Sequence, residues 1–200
     1  MSNNIFLITL ALVLALVAIS LLSGWSYPWG IPANADDAYY YAGGVVTAKC
    51  GPNTRLLGIL VQQAFTRYAF TRGTCGSGSA NEYVSLSYDF KKRSVEDFKI
   101  SNFALNNELD FLGPDNTLPI SVLDWKISSE RAFQIVSAHG GPENPKAGDL
   151  RLRQTGNSLI WGYSYQAGSY QSGWTVSWFQ INAATGQVIS SGSAPAPAPF

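Results

Sequence analysis

WTVSWFQINAATGQVI, residues 174–189, alternates its side chains and then breaks into a turn. On a strand Trp174, Val176 and Trp178 share one face, and Thr175 and Ser177 share the other. NAATGQ then turns the chain into a short strand at Val188 and Ile189, with Gly186 placed for a positive φ. Upstream, SLIWGYSY (158–165) reads as a neighbouring strand, preceded by a brief one around Leu150 to Arg153. Before these strands a helix opens at Ser128 or Ser129, either of which can accept a hydrogen bond from the free N–H groups of a first turn. Ala132, Phe133, Ile135 and Val136 give it an apolar face, and Gly140 with Gly141 ends it. A short helix followed by antiparallel strands makes an α+β unit.

A similar order is expected earlier in the chain. Thr54 can cap a helix reaching to about Phe70, because Leu56, Leu57, Leu60, Val61, Ala64, Phe65 and Tyr68 recur at helical spacing. YVSLSYDF (83–90) then puts Val84, Leu86, Tyr88 and Phe90 on one side of a strand, and a second strand is expected from Phe98 to Phe103. Lys91 to Glu96 would connect them.

The two ends of the chain have a different composition. All 26 charged side chains, 13 basic and 13 acidic, lie at or beyond Asp36. The run IFLITLALVLALVAISLL, from Ile5 to Leu22, has only Thr9 and Ser20 as polar residues. As a helix at about 1.5 Å per residue it would cover roughly 27 Å, enough to cross a bilayer, and it is apolar on every side. Trp25, Tyr27 and Trp29 follow as candidate membrane-interface aromatics. A cleaved signal peptide is the rival reading; the missing basic n-region and the length of the run favour a retained anchor. Positive charge is absent from both near flanks, so orientation leans on Asp36, Asp37 and the cysteines, which suggest an extracytoplasmic body. Residues 1–24 are read as a transmembrane anchor, 25–35 as a Pro/Gly linker, 36–121 as a first α+β unit and 122–190 as a second. The remainder, 191–200, is read as an extended Ala/Pro tail.

The chemistry-bearing residues are few. Cys50 and Cys75 form an even pair flanking the expected first helix, and a disulfide would add about 3 kcal/mol by loop closure; two buried thiols are the alternative. His139 is the only histidine and sits near a helix C-terminus, where it interacts with the macrodipole. A metal site would need further ligands, and there is no CxxC or CxxCH. GSGSAN is glycine-rich but is not followed by GK[ST], so it is no phosphate cradle. No catalytic residue, metal or cofactor is therefore expected, and the chain is read as a non-enzyme. The formal net charge is zero and the pI is near 6.6, which argues against nucleic acid as a partner. Aromatics make up 13% of the chain and cluster in the linker and at 161–178. Core packing accounts for most of the second cluster; the candidate contact residues are Tyr163, Tyr165, Tyr170, Trp174 and Trp178.

Residues 122–190 resemble a PepSY domain, the small α+β module of thermolysin-like protease propeptides and many bacterial envelope proteins. The resemblance rests on the helix opening ISSERAFQIVSAHGG and on the strand pair WGYSY and WTVSWFQI. It also rests on the ending INAATGQVI, where Ile181, Ala183, Thr185, Gly186 and Val188 match and Asn182 stands where Asp is common. It covers about a third of the chain, and residues 54–103 could be a diverged second copy. The resemblance implies a binding or inhibitory module that restrains or tunes peptidases, with no catalytic residue.

The expected architecture is thus α+β: one N-terminal transmembrane helix and a head of helix-on-antiparallel-sheet units, two tandem PepSY-like repeats. The expected function is a membrane-anchored, extracytoplasmic, non-catalytic module held in lipid by Ile5 to Leu22 and acting by protein–protein contact. The alternative is a single-span accessory or structural subunit of a larger membrane complex, an energy-transducing assembly or a filament.

Overall fold

A computed structural model describes residues 32–78, 82–102, 118–169 and 172–196 of the 200-residue chain. Residues from Pro32 onward form one compact unit. Helix α1 (Ala35–Cys50) is followed by strands β1 (Leu56–Val61), β2 (Phe65–Thr71), β3 (Glu82–Asp89) and β4 (Ser94–Asn102). After a 3-10 turn at Val122–Asp124, helix α2 (Ser129–Ala138) is followed by β5 (Asp149–Thr155), β6 (Ser158–Ser169), β7 (Gly173–Asn182) and β8 (Val188–Ala196).

All eight strands belong to one antiparallel sheet in the order β4-β3-β2-β1-β5-β6-β7-β8. The central joint is the pairing of β1 with β5, which sets Gly58 opposite Arg153 and Val61 opposite Leu150. Each half is therefore a helix followed by a four-stranded meander, and the halves meet edge to edge through their first strands.

This corrects the expected architecture. In place of a membrane-crossing helix and two separate helix-on-sheet units, the described residues form one continuous sheet with two helices. Neither helix is long and apolar enough to cross a membrane. The run from Ile5 to Leu22 and the aromatics Trp25, Tyr27 and Trp29 lie outside the described residues.

The helix expected from Thr54 to Phe70 is instead the β1–β2 hairpin. Every residue of β1, LLGILV, is buried, so apolar residues occupy consecutive positions and hide the two-residue alternation. Gly58, Ile59 and Val61 are also poor helix formers. The helix of this half lies earlier, at ADDAYYYAGGVVTAKC, where Asn34 caps it by accepting the Asp37 N–H at 2.9 Å. Its buried face is Ala35, Ala38, Ala42, Val46 and Cys50. Small side chains at that spacing let the helix lie close on the sheet but give a weak hydrophobic signal.

Elsewhere the boundaries move. β4 starts at Ser94, within the expected connection, and the true turn is held by Asp89, whose carboxylate accepts the N–H groups of Lys91 and Lys92. Ser128 caps α2 by accepting the Arg131 N–H at 3.1 Å. Gly186 has φ 78° in the turn before β8, and β8 runs on to Ala196 through residues expected as tail.

The main core lies between the sheet and the two helices. Tyr68, Val84, Leu86 and Tyr88 contribute from the first half, and Leu150, Leu152, Trp161, Tyr163, Phe179 and Ile181 from the second. An aromatic chain crosses it: Phe70 stacks with Tyr39, which meets Trp125 edge-on at 5.6 Å, and Trp125 meets Trp161 at 6.0 Å. Leu57, Leu60, Ala69 and Tyr83 form a smaller cluster separate from this core.

Candidate functional site: two open surfaces

The two sheet faces diverge in chemistry because side chains alternate along each strand. In β6 and β7, Tyr163 pairs with Phe179 toward the helices, while Ser164 pairs with Trp178 toward the other side. The sequence-predicted aromatics are thereby split between the faces.

Tyr163 is a core residue. It meets Phe133 of α2 edge-on at 6.3 Å, and burial pushes its phenol up to about 12. Its hydroxyl lies beside Gly148, whose missing side chain makes the approach possible: a Cβ there would stand 2.5 Å from Tyr163 Oη. Tyr165 is half-buried against the same core. Tyr170 lies outside the described residues.

Trp174, Val176 and Trp178 occupy the face opposite the helices, with Gly192, Ala194 and Ala196 of β8 beside them. Trp178 is 37% exposed. Its cross-strand neighbour Ser164 borders a depression of about 380 Å³ on the β5–β6 side, lined also by Asp149, Arg151, Tyr165, Gln166 and Val176. Asp149 holds two partners there, Arg151 Nη2 at 3.1 Å and Gln62 Nε2 at 2.8 Å.

The helix side has a second opening that the sequence reading missed. A groove of about 410 Å³ runs between α1 and the segment leading into the 3-10 turn, lined by Leu56, Phe70, Tyr39, Tyr40, Ile120 and Val122, with Thr47, Thr54 and Arg55 as its polar part. The backbone N–H of Ile120 donates to the Leu56 carbonyl at 2.7 Å and fixes that segment. Of the groove's lining, Tyr40 is 62% exposed and Val122 is exposed as well; Leu118 and Leu123, which flank Ile120 and Val122 along the chain, are also exposed, Leu123 at 88%. Two adjacent aliphatic residues in SVLDW, without a strand or helix period to bury them, were the available signal.

The candidate chemistry of the rest is structural. Cys50 and Cys75 are joined in a disulfide that pins the end of α1 to the β2–β3 connection. His139 Nδ1 lies 2.8 Å from the Ile135 carbonyl in the last turn of α2. Among the described residues no group of three His, Cys, Asp or Glu side chains is arranged to hold a metal ion.

No protein-family model matches the chain, and no curated protein matches it. Its fold is that of a crystal structure from Clostridium difficile 630 described as a "putative lipoprotein". The TM-score is 0.54 over 84% of this chain and 97% of that one, at 9% sequence identity. At that identity the likeness concerns the fold alone.

Proposed function

We propose that this protein is a non-catalytic binding module of the cell envelope, held at the membrane through its apolar N-terminal run, with an extracytoplasmic head that acts by protein–protein contact. The observation that carries this reading is the groove beside α1 with exposed apolar side chains in and next to its lining. Tyr40 and Val122 are exposed within its lining, and Leu123, the next residue along the chain from Val122, is 88% exposed. Contiguous exposed apolar side chains mark contact sites on protein surfaces, because water is released when a partner covers them.

Two further points support it. The structural neighbour's description is that of a lipoprotein, and a lipid-attached protein belongs to an envelope. The PepSY-like order of helix, strands and TG turn in residues 122–190 motivates the finer reading, restraint of an envelope peptidase.

The test is a photo-reactive residue placed at Leu123 of the full chain in its own membrane. Discrete adducts with one protein, lost when Tyr40→Asp is added, are expected; adducts with lipid alone, or none, would reject the contact reading. Slowing of a thermolysin-type metallopeptidase by the full chain, abolished in Leu123→Asp, tests the peptidase reading separately.

A further inference from the structure

The face opposite the helices carries a different opening, and we infer that the depression beside Trp178 is a saccharide-binding site for an uncharged sugar ring. Trp178 is the platform. A Cβ added to Gly192 would stand 2.7 Å from its Cζ2 and 3.1 Å from its Cε2, so the six-membered part of the indole rests on the β8 backbone. One ring face is supported by glycine, and the side chain remains 37% exposed. A flat apolar surface held in this way suits the C–H face of a pyranose, which buries carbon without needing to desolvate its hydroxyls.

The polar groups lie where the edge of such a ring would fall. Ser164 is the direct cross-strand neighbour of both Trp178 and Asp149, so it joins the platform to the depression. Beyond it stand a carboxylate, a guanidinium and an amide, those of Asp149, Arg151 and Gln166. These planar groups offer paired donors and acceptors that match neighbouring ring hydroxyls. The volume of about 380 Å³ is that of a small-ligand site.

Charge selects the class. Arg151 is held by Asp149 at 3.1 Å, and Gln62 occupies the other carboxylate oxygen at 2.8 Å. The lining is therefore balanced, and a phosphate or an acidic peptide would find no excess cation. The lining is mostly polar, with Asp149, Arg151, Ser164 and Gln166 beside only two large apolar residues, Val176 and Tyr165, which suits a ring with one apolar face better than an apolar peptide side chain. A neutral hydroxyl-rich ring fits both facts. This inference stands apart from the groove beside α1, which opens on the other side of the sheet.

The test uses the full chain in a detergent without a sugar headgroup, titrated with chitotriose and with cellotriose, and read by tryptophan fluorescence and calorimetry. Saturable binding of at least one trisaccharide is expected, weakened about tenfold or more in Trp178→Ala and Asp149→Asn and partly retained in Trp178→Phe. Gln166→Ala, an exposed position, gives the same weakening without risk to the core and carries the test if Trp178→Ala does not fold. Leu123→Asp leaves saccharide binding unchanged, which separates this site from the protein-contact groove. Absence of saturable binding to both sugars, equal binding by the Gln166→Ala chain, or displacement by inorganic phosphate would each overturn the inference.

Discussion

Asp36, in the first turn of α1, caps the start of α2: its carboxylate accepts the Ser129 backbone N–H at 3.1 Å and the Ser129 hydroxyl at 2.7 Å. The two residues are 93 positions apart. The first half of the chain thus supplies a hydrogen-bond acceptor to the helix of the second, in addition to the local cap from Ser128. This contact couples the two meanders on the helix side, as the β1–β5 pairing does within the sheet.

Removing that carboxylate leaves a half-buried N–H and a buried hydroxyl without their acceptor. Asp36→Ala is expected to lower unfolding free energy by about 1–2 kcal/mol, and Asp36→Asn, which keeps one acceptor oxygen, by less. Urea unfolding of the two variants checks the order.

The same residue gives a pH dependence. Burial raises the Asp36 carboxyl above its ordinary value of 3.8, outweighing the Ser129 hydrogen bonds that favour the ionised form. A raised value means that the folded protein holds this proton more tightly than the unfolded chain. The Asp36 contribution to stability is therefore greatest below 3.8, falls as pH rises through the window between 3.8 and the raised folded value, and is constant above it. Unfolding curves across that window should show this decline in the wild type, and the difference between wild type and Asp36→Asn should vanish in slope at higher pH.

The disulfide closes a loop of 25 positions and anchors the end of α1. Replacing both cysteines with alanine should cost about 2–4 kcal/mol, read as a lower melting temperature that reductant no longer changes. An equal melting temperature for the two proteins would show that the bond does not constrain the folding unit.

Trp125 and Trp161 both donate their indole N–H to the Ile127 carbonyl, at 3.0 and 2.8 Å, just before the cap of α2. Trp161 is fully buried. Trp161→Phe removes a donor and leaves a gap, and a loss of about 1–3 kcal/mol is expected by chemical denaturation.

Gly148→Ala tests close approach in the second half. The new Cβ would meet the Ser164 carbonyl oxygen at 2.6 Å and Tyr163 Oη at 2.5 Å, so the backbone itself must shift. A loss of about 1–3 kcal/mol is expected. Gly192→Ala should instead move the Trp178 indole, and a changed Trp emission with little change in melting temperature is the readout.

Local pattern alone determined β3, the cap and apolar face of α2, the β6–β7 strand pair and the Gly186 turn; it left Cys50 and Cys75 open between a disulfide and two thiols, and the structure joins them. In β3 the small polar Ser85 and Ser87 alternate with Val84, Leu86 and Tyr88 although both sets are buried, and in α2 and the end of β7 polar residues mark the outer face, so the sequence period records the element directly. Tertiary structure decided the rest. β1 is buried at every position, so its alternation is erased and helical spacing appears by coincidence. Helix α1 seats itself through alanines and contains Gly43 and Gly44, residues that carry almost no hydrophobic signal. β8 extends through Ser, Gly, Ala and Pro because β7 offers it a partner ladder, not because those residues prefer strands. The β1–β5 joint, which makes one sheet of two meanders, pairs residues about ninety positions apart, and no local period encodes a contact of that range. The exposed groove and the depression beside Trp178 follow from that joint and from the helices above it, since a side chain becomes part of a surface only once its neighbours across the sheet are fixed.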